Sequence, residues 1–172
     1  MSDITKKGWL TLVKLGFSQV DITPPIGTTL AGYKYERLSV GVHDKLFGRI
    51  LIIDFKGELF CLVQMDVIGV DEYFVDKLFE KVKDLGIKVS SLIVVATHTH
   101  SGPKGIFDER NILDEETFGA YNDSLVTEYI NKLEKGVRTA FENRNILGRV
   151  EISSSYVDDI CSERHDNTKG DN

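Results

Sequence analysis

The stretch from Leu59 to Ala96 constrains the fold more than any other part of the chain. "LFCLVQM" (59–65) is apolar almost throughout and stops at Asp66. From Asp71 to Leu85 the apolar period changes to that of a helix, with Phe74, Val75, Leu78, Phe79, Val82 and Leu85 on one face. Asp71 suits the N-cap and Gly86 the position after the last turn. "SLIVVA" (91–96) is a second short apolar run. Strand, helix and strand at this spacing form a βαβ unit, so the two strands run parallel and end at one edge. Open α/β sheets bind ligands outside the carboxyl ends of such strands. Asp66 and His98 both fall there.

The remaining chain supplies partners for this unit. Phe17 to Ile22 reads as a strand, halted by Pro24 and Pro25. Gly27 and Gly32 then permit a loop that passes close to something. Ile50–Ile53 and Leu59–Met65 flank a Lys56-Gly57 turn, and their apolar character on both phases predicts a sheet covered on both faces. Residues 103–121 form an irregular acidic, glycine-containing loop. A helix follows over 123–143 with Leu125, Val126, Tyr129, Ile130, Leu133, Val137 and Phe141 inward, and "GRVEISSSYV" (148–157) is a last strand in which Val150 and Ile152 alternate. Trp9 and Phe17 are expected to cover the core. The fold class is α/β, a mixed sheet with a central βαβ unit flanked by helices, in one domain spanning 1–172.

Composition excludes several functions. A net charge of −6 over 172 residues, with no Lys/Arg block, excludes a nucleic-acid partner. No run approaches the ~18 apolar residues of a membrane span, so no transmembrane segment is expected. Cys61 and Cys161 lie apart without CxxC spacing and read as reduced thiols. The N-terminal run "GWLTLVKLGF" is broken by Lys14 and lacks a small-residue cleavage site, so a cytoplasmic location is expected.

The chemistry concentrates in "VVATHTHSGP" (94–103), which holds two of the four histidines. Residues i and i+2 of an extended segment point the same way, so His98 and His100 can face one pocket. Neutral imidazole is the commonest transition-metal ligand, and zinc suits such donors. A binuclear T-H-x-H-x-D-H site needs an aspartate and a histidine where Ser101-Gly102-Pro103 stand here. Asp66 is placed to orient a histidine from the neighbouring strand end. His43-Asp44 is a possible ligand with an orienting carboxylate, more simply a loop pair at a strand start. A self-contained site built from His43, His98, His100 and an acidic residue stays open, as does a chain that only associates through an exposed apolar edge.

"ATHTHSGPKGIF" (96–107) resembles the T-H-T-H-S-G-P-x-G motif of the neutral/alkaline (non-lysosomal) ceramidase family. "VDITPPIGTTLAGY", "GVHDKLFGRILII" and "LVQMDVIGV" are similar to its opening strands. The resemblance implies a zinc-dependent amidase that splits the N-acyl bond of ceramide or a related acyl amide. It implies His98 as the zinc ligand and His100 as the substrate-facing catalytic histidine. "SERHDN" aligns with the family's arginine turn and implies a catalytic role for Arg164, although Glu163 and Asn167 depart from that pattern. The family's remaining zinc ligands come downstream. The chain is therefore expected to be the incomplete N-terminal portion of a larger catalytic domain, with an incomplete Zn2+ site. Its missing C-terminal half is then its expected partner, and alone it should be inactive.

Overall fold

A computed structural model describes residues 13–107 and 114–148. Trp9, Val150, Ile152, Cys161, Arg164 and His165 lie outside the described residues. Five strands form one sheet in the order β4-β3-β2-β1-β5. They are β1 (Val13–Asp21), β2 (Phe47–Phe55), β3 (Glu58–Met65), β4 (Leu92–Ala96) and β5 (Ile146–Gly148). All pairings are antiparallel except β3 with β4, which run parallel with Met65 opposite Ala96. The βαβ reading is correct, and Asp66 and His98 leave the sheet at the same edge.

The crossover helix α1 spans Glu72–Val82, and the Asp71 side chain accepts the Phe74 N–H at 2.9 Å. Such a cap contributes about 1 kcal/mol. A 3₁₀ turn (Lys83–Leu85) follows and closes on Gly86 at φ 82°. The long helix α3 covers Asp123–Glu142, capped by Asn122 Oδ1 on the Leu125 N–H at 3.1 Å. A four-residue helix α2 (Glu115–Phe118), capped by Asp114, occupies part of the stretch expected to be irregular.

Both long helices lie on one face of the sheet. Ile50, Ile52, Cys61, Val63, Met65 and Leu92 point to that face and are buried. Phe74, Leu78 and Val82 of α1 meet them, with Val126, Tyr129, Ile130, Leu133 and Val137 of α3. Burying each large side chain contributes about 1.5–3 kcal/mol, so this face carries most of the stability. α3 crosses β1 at backbone distance. A Cβ on Gly16 would fall 1.9 Å from the Ala140 carbonyl oxygen, and one on Gly136 would meet Ile50 Cδ1 at 2.7 Å. The Ser18 hydroxyl completes this crossing by donating to the Gly136 carbonyl at 2.6 Å.

The cover expected on the opposite face is not supplied by the described residues. Among the described residues nothing packs over it, and Phe17, Phe60, Leu62, Ile93 and Val95 are exposed there. Side chains alternate along a strand, so an apolar run puts as much hydrocarbon outward as inward. Phe17, at 52% exposure, lies on this open face and does not cover the core.

Candidate active site

The histidine loop begins where β4 ends. The Thr97 N–H extends the ladder by donating to the Met65 carbonyl at 3.0 Å. His98 then takes φ 59°, in the left-handed region that L side chains rarely adopt. Its Nδ1 lies 2.8 Å from the carbonyl oxygen of Ile68, in the loop that follows β3. A carbonyl only accepts, so Nδ1 carries a proton, and in the neutral ring the lone pair is on Nε2. That is the second-partner arrangement that orients metal-binding imidazoles. His98 is an exposed residue, which suits Nε2 to take a ligand. His100 stands beside it, ring centroids 5.4 Å apart and planes at 78°. The two rings do meet, as expected, but not by strand alternation. The left-handed turn at His98 ends the extended backbone and brings them together.

A second loop, between β1 and β2, forms the other wall. Its Thr29–Ala31 segment is zipped to the Ser-Gly-Pro stretch. Ala31 N–H donates to the Gly102 carbonyl and Lys104 N–H to the Thr29 carbonyl, both at 3.0 Å. Gly32 follows at φ 88°, and a Cβ there would fall 2.1 Å from His100 Nδ1. The loop that the sequence permitted to pass close to something passes against His100. Next to it the Tyr33 ring meets His100 edge-on, centroids 5.7 Å apart. Lys104 secures this corner by donating through Nζ to the carbonyls of Tyr33 and Glu116.

A proton-fixed imidazole at the carboxyl edge of a parallel strand pair, with a second imidazole beside it, is now in place within a mixed α/β sheet. The sequence matches the family described as "Neutral/alkaline non-lysosomal ceramidase, N-terminal" over residues 13–168. The chain belongs to that family. Two solved structures share its fold. Neutral ceramidase from Pseudomonas aeruginosa superposes with a TM-score of 0.66 at 20% identity, covering 83% of this chain and 23% of that one. A ceramidase complexed with C2 gives a TM-score of 0.65 at 20% identity, covering 81% and 22%. The matched part of the chain thus covers less than a quarter of the length of these ceramidases. Among curated proteins, none matches.

In this ceramidase-family chain the other candidates divide. Asp66 leaves the sheet beside the His98 strand but turns to the open face. Its carboxylate accepts from Arg49 Nη1 at 2.8 and 3.0 Å, from the Phe47 N–H at 2.9 Å and from Gln64 Nε2 at 3.0 Å. With its oxygens so committed it orients neither histidine. His43 pairs with Asp44 at 2.7 Å, and that carboxylate raises the imidazole pKa above its ordinary value. Both are fully exposed in the β1–β2 loop.

Among the described residues no three His, Cys, Asp or Glu side chains gather as metal ligands, so His43 does not complete a site with the other two. Thr99 and Ser101 line a cavity of about 550 Å³ together with Arg37 and His43. Gly32, Tyr33 and Lys104 were not singled out as site residues by sequence reasoning. Only the glycine's position in a proline-halted loop hinted at a close approach.

Proposed function

We propose that this chain supplies the first part of a zinc-dependent amide hydrolase acting on the N-acyl bond of ceramide or a related acyl amide. Alone it does not turn over substrate. The observation that supports this reading most is the hydrogen bond from His98 Nδ1 to the Ile68 carbonyl, which in the neutral ring leaves Nε2 as the ligand nitrogen. One such imidazole fits one place in a zinc ligand set, and a structural or catalytic set needs at least three protein donors. The others would come from the rest of the enzyme. Zinc, when bound, supplies Lewis acidity to the amide carbonyl and to an attacking water.

The chain's own residues have two tasks. His98 would hold the ion through Nε2, its ring oriented by the Ile68 carbonyl. His100, one ring away, donates to the carbonyl oxygen as it gains negative charge, and Arg164 joins it by the family resemblance. One such donor is typically worth about 3 kcal/mol of transition-state stabilisation. A cytoplasmic location is part of the same proposal, supported by two cysteines without disulfide-framework spacing.

The test joins this chain to a ceramidase-type downstream half. Turnover is then measured on ceramide, short N-acyl amides, a β-lactam and a phosphodiester, with zinc content determined in parallel. His98→Ala should lose both zinc and turnover. His100→Ala should lower kcat more than it raises KM, because its bond is strongest in the transition state. Preferred turnover of the β-lactam or the phosphodiester, or full activity in His98→Ala, sinks the reading. The open sheet face favours a second reading, in which the isolated chain only associates. An apolar patch of this kind on a soluble domain marks an interaction surface.

A further inference from the structure

We propose that the corner formed by Gly32 and Tyr33 is the positioning element of His100, so that the β1–β2 loop sets where the second histidine points. This rests on the role given to His100 above. Three observations carry it. First, Gly32 lies so close to the imidazole that a Cβ would come within 2.1 Å of Nδ1, 2.4 Å of Cε1 and 2.9 Å of Cγ. The Nδ1–Cε1 edge is therefore walled by backbone, and the Cδ2–Nε2 edge is turned away from it. The positive φ of 88° makes glycine the residue this conformation favours.

Second, the Tyr33 ring stands at 78° to His100, and the Arg37 guanidinium lies 4.6 Å over that ring. The tyrosine is thus held between a cation and an imidazole, each contact worth a modest but directional attraction. Third, the corner cannot drift. Gly32 N–H donates to the Thr117 carbonyl at 3.0 Å, and Lys104 Nζ donates to the Tyr33 carbonyl at 2.9 Å. Lys104 follows the T-H-T-H-S-G-P run directly, so the same strand-end segment that bears the histidines also fastens the loop that limits one of them.

His98 and His100 are consequently fixed by independent means. The first is held by a carbonyl from the loop after β3, the second by backbone and an aromatic ring from the loop after β1. Tyr33 acts through its ring face and edge, which phenylalanine reproduces and leucine does not.

The experiment is NMR on the 172-residue chain with labelled histidine and aromatic side chains. Cross-relaxation between the His100 ring protons and both the Tyr33 ring and the Gly32 α-protons is expected. Tyr33→Phe keeps the His100 contacts, and Tyr33→Leu loses them. The His98 Nδ1–H signal, set by Ile68, should stay unchanged in both, which separates local release of His100 from unfolding. Gly32→Ala should displace His100 further, and the tyrosine variants carry the test if that protein does not fold.

In the assembled enzyme Tyr33→Leu should lower kcat by about tenfold to a hundredfold with little change in KM, since misplacing a group by ~1 Å costs on that scale. Tyr33→Phe should recover most of the loss. An unchanged His100 environment in Tyr33→Leu overturns the proposal. Lost contacts with unchanged kcat support the positioning and overturn the hydrolytic role of His100.

Discussion

His98 occupies a left-handed conformation at φ 59°, and this gives an unusual expectation for two substitutions at one site. His98→Ala removes the imidazole and its 2.8 Å bond to the Ile68 carbonyl. That bond is worth about 0.5–1.5 kcal/mol net. A Cβ remains, however, so the cost of the left-handed backbone, about 1–2 kcal/mol, is still present. His98→Gly loses the same bond but relieves that cost. At an ordinary φ glycine is less stable than alanine by roughly 0.5–1 kcal/mol, because it has more freedom to lose. At a positive φ the conformational term exceeds this entropy and the order inverts.

The glycine variant should therefore be more stable than the alanine variant by about 1 kcal/mol. In a chain of this size that shifts the midpoint of thermal unfolding by ~2–4 °C. Urea unfolding followed by far-UV circular dichroism measures the difference directly, with equal slopes showing that both unfold from the same state. In the assembled enzyme both variants should be inactive, so stability and activity part company at this residue. An alanine variant as stable as the glycine variant, or more so, refutes the reasoning, because it would mean that His98 is not held in a strained conformation.

Cys61 is 1% exposed, and burial pushes its thiol up from 9.0 to about 12. It should resist alkylation until the chain unfolds. Between these values the unfolded thiol ionises while the native one stays protonated, so its contribution to stability is intact below pH 9 and falls as pH rises, at most about 1.4 kcal/mol per unit. Denaturant titrations from pH 8 to 11 should show a shallower decline in Cys61→Ala. Asp66→Ala leaves Arg49, Gln64 and the Phe47 N–H without their shared acceptor. It should cost about 2 kcal/mol in the same titrations, and a loss below a few tenths would show that the cluster is rehydrated freely. On the open face, sedimentation of the isolated chain should show self-association that Phe60→Glu with Leu62→Glu abolishes; a monomer at every concentration removes the associating reading.

Where local rules decided the structure, the sequence was legible. The helical period with Asp71 and Gly86 at its ends located α1 to within a few residues, because capping and periodicity are properties of neighbouring residues. The parallel pairing of β3 and β4 followed from the same segment, since a crossover of that length permits it. The adjacency of the two histidines was legible, yet the backbone geometry that produces it was not. Nothing in Thr-His-Thr-His singles out a positive φ at His98, since histidine adopts it more often than most residues but far less often than glycine.

The partner of Asp66 was hidden for another reason. Arg49 and Gln64 are directly opposed in the β2–β3 register, a relation that only the paired strands reveal. On the open face, apolar residues on both phases of a strand indicate that cover is needed without naming what provides it, and the described residues do not provide it. α2 was missed because four residues carry no detectable period.

The distribution of strained backbone separates structural need from site construction. Among the described residues two non-glycine residues have positive φ, Lys56 at 53° and His98 at 59°. Lys56 shares the β2–β3 hairpin with Gly57 at φ 88°, and a two-residue turn with both central residues positive is what the twist of paired strands favours. Its strain is repaid by the hairpin register, in which Phe55 faces Glu58. No hairpin is closed at His98. The residue is instead held from several directions. The ladder bond of Thr97 fixes the chain before it, the Ile68 carbonyl fixes the ring, and the Thr99 hydroxyl accepts the Ser101 N–H at 3.2 Å beyond it. A conformation that is costly, over-determined by its surroundings and unnecessary for closing a turn belongs to the arrangement of the side chain it carries. Here that side chain is an imidazole with one nitrogen engaged and the other open. The backbone and the ring chemistry thus point independently to His98 as the residue around which the loop is built.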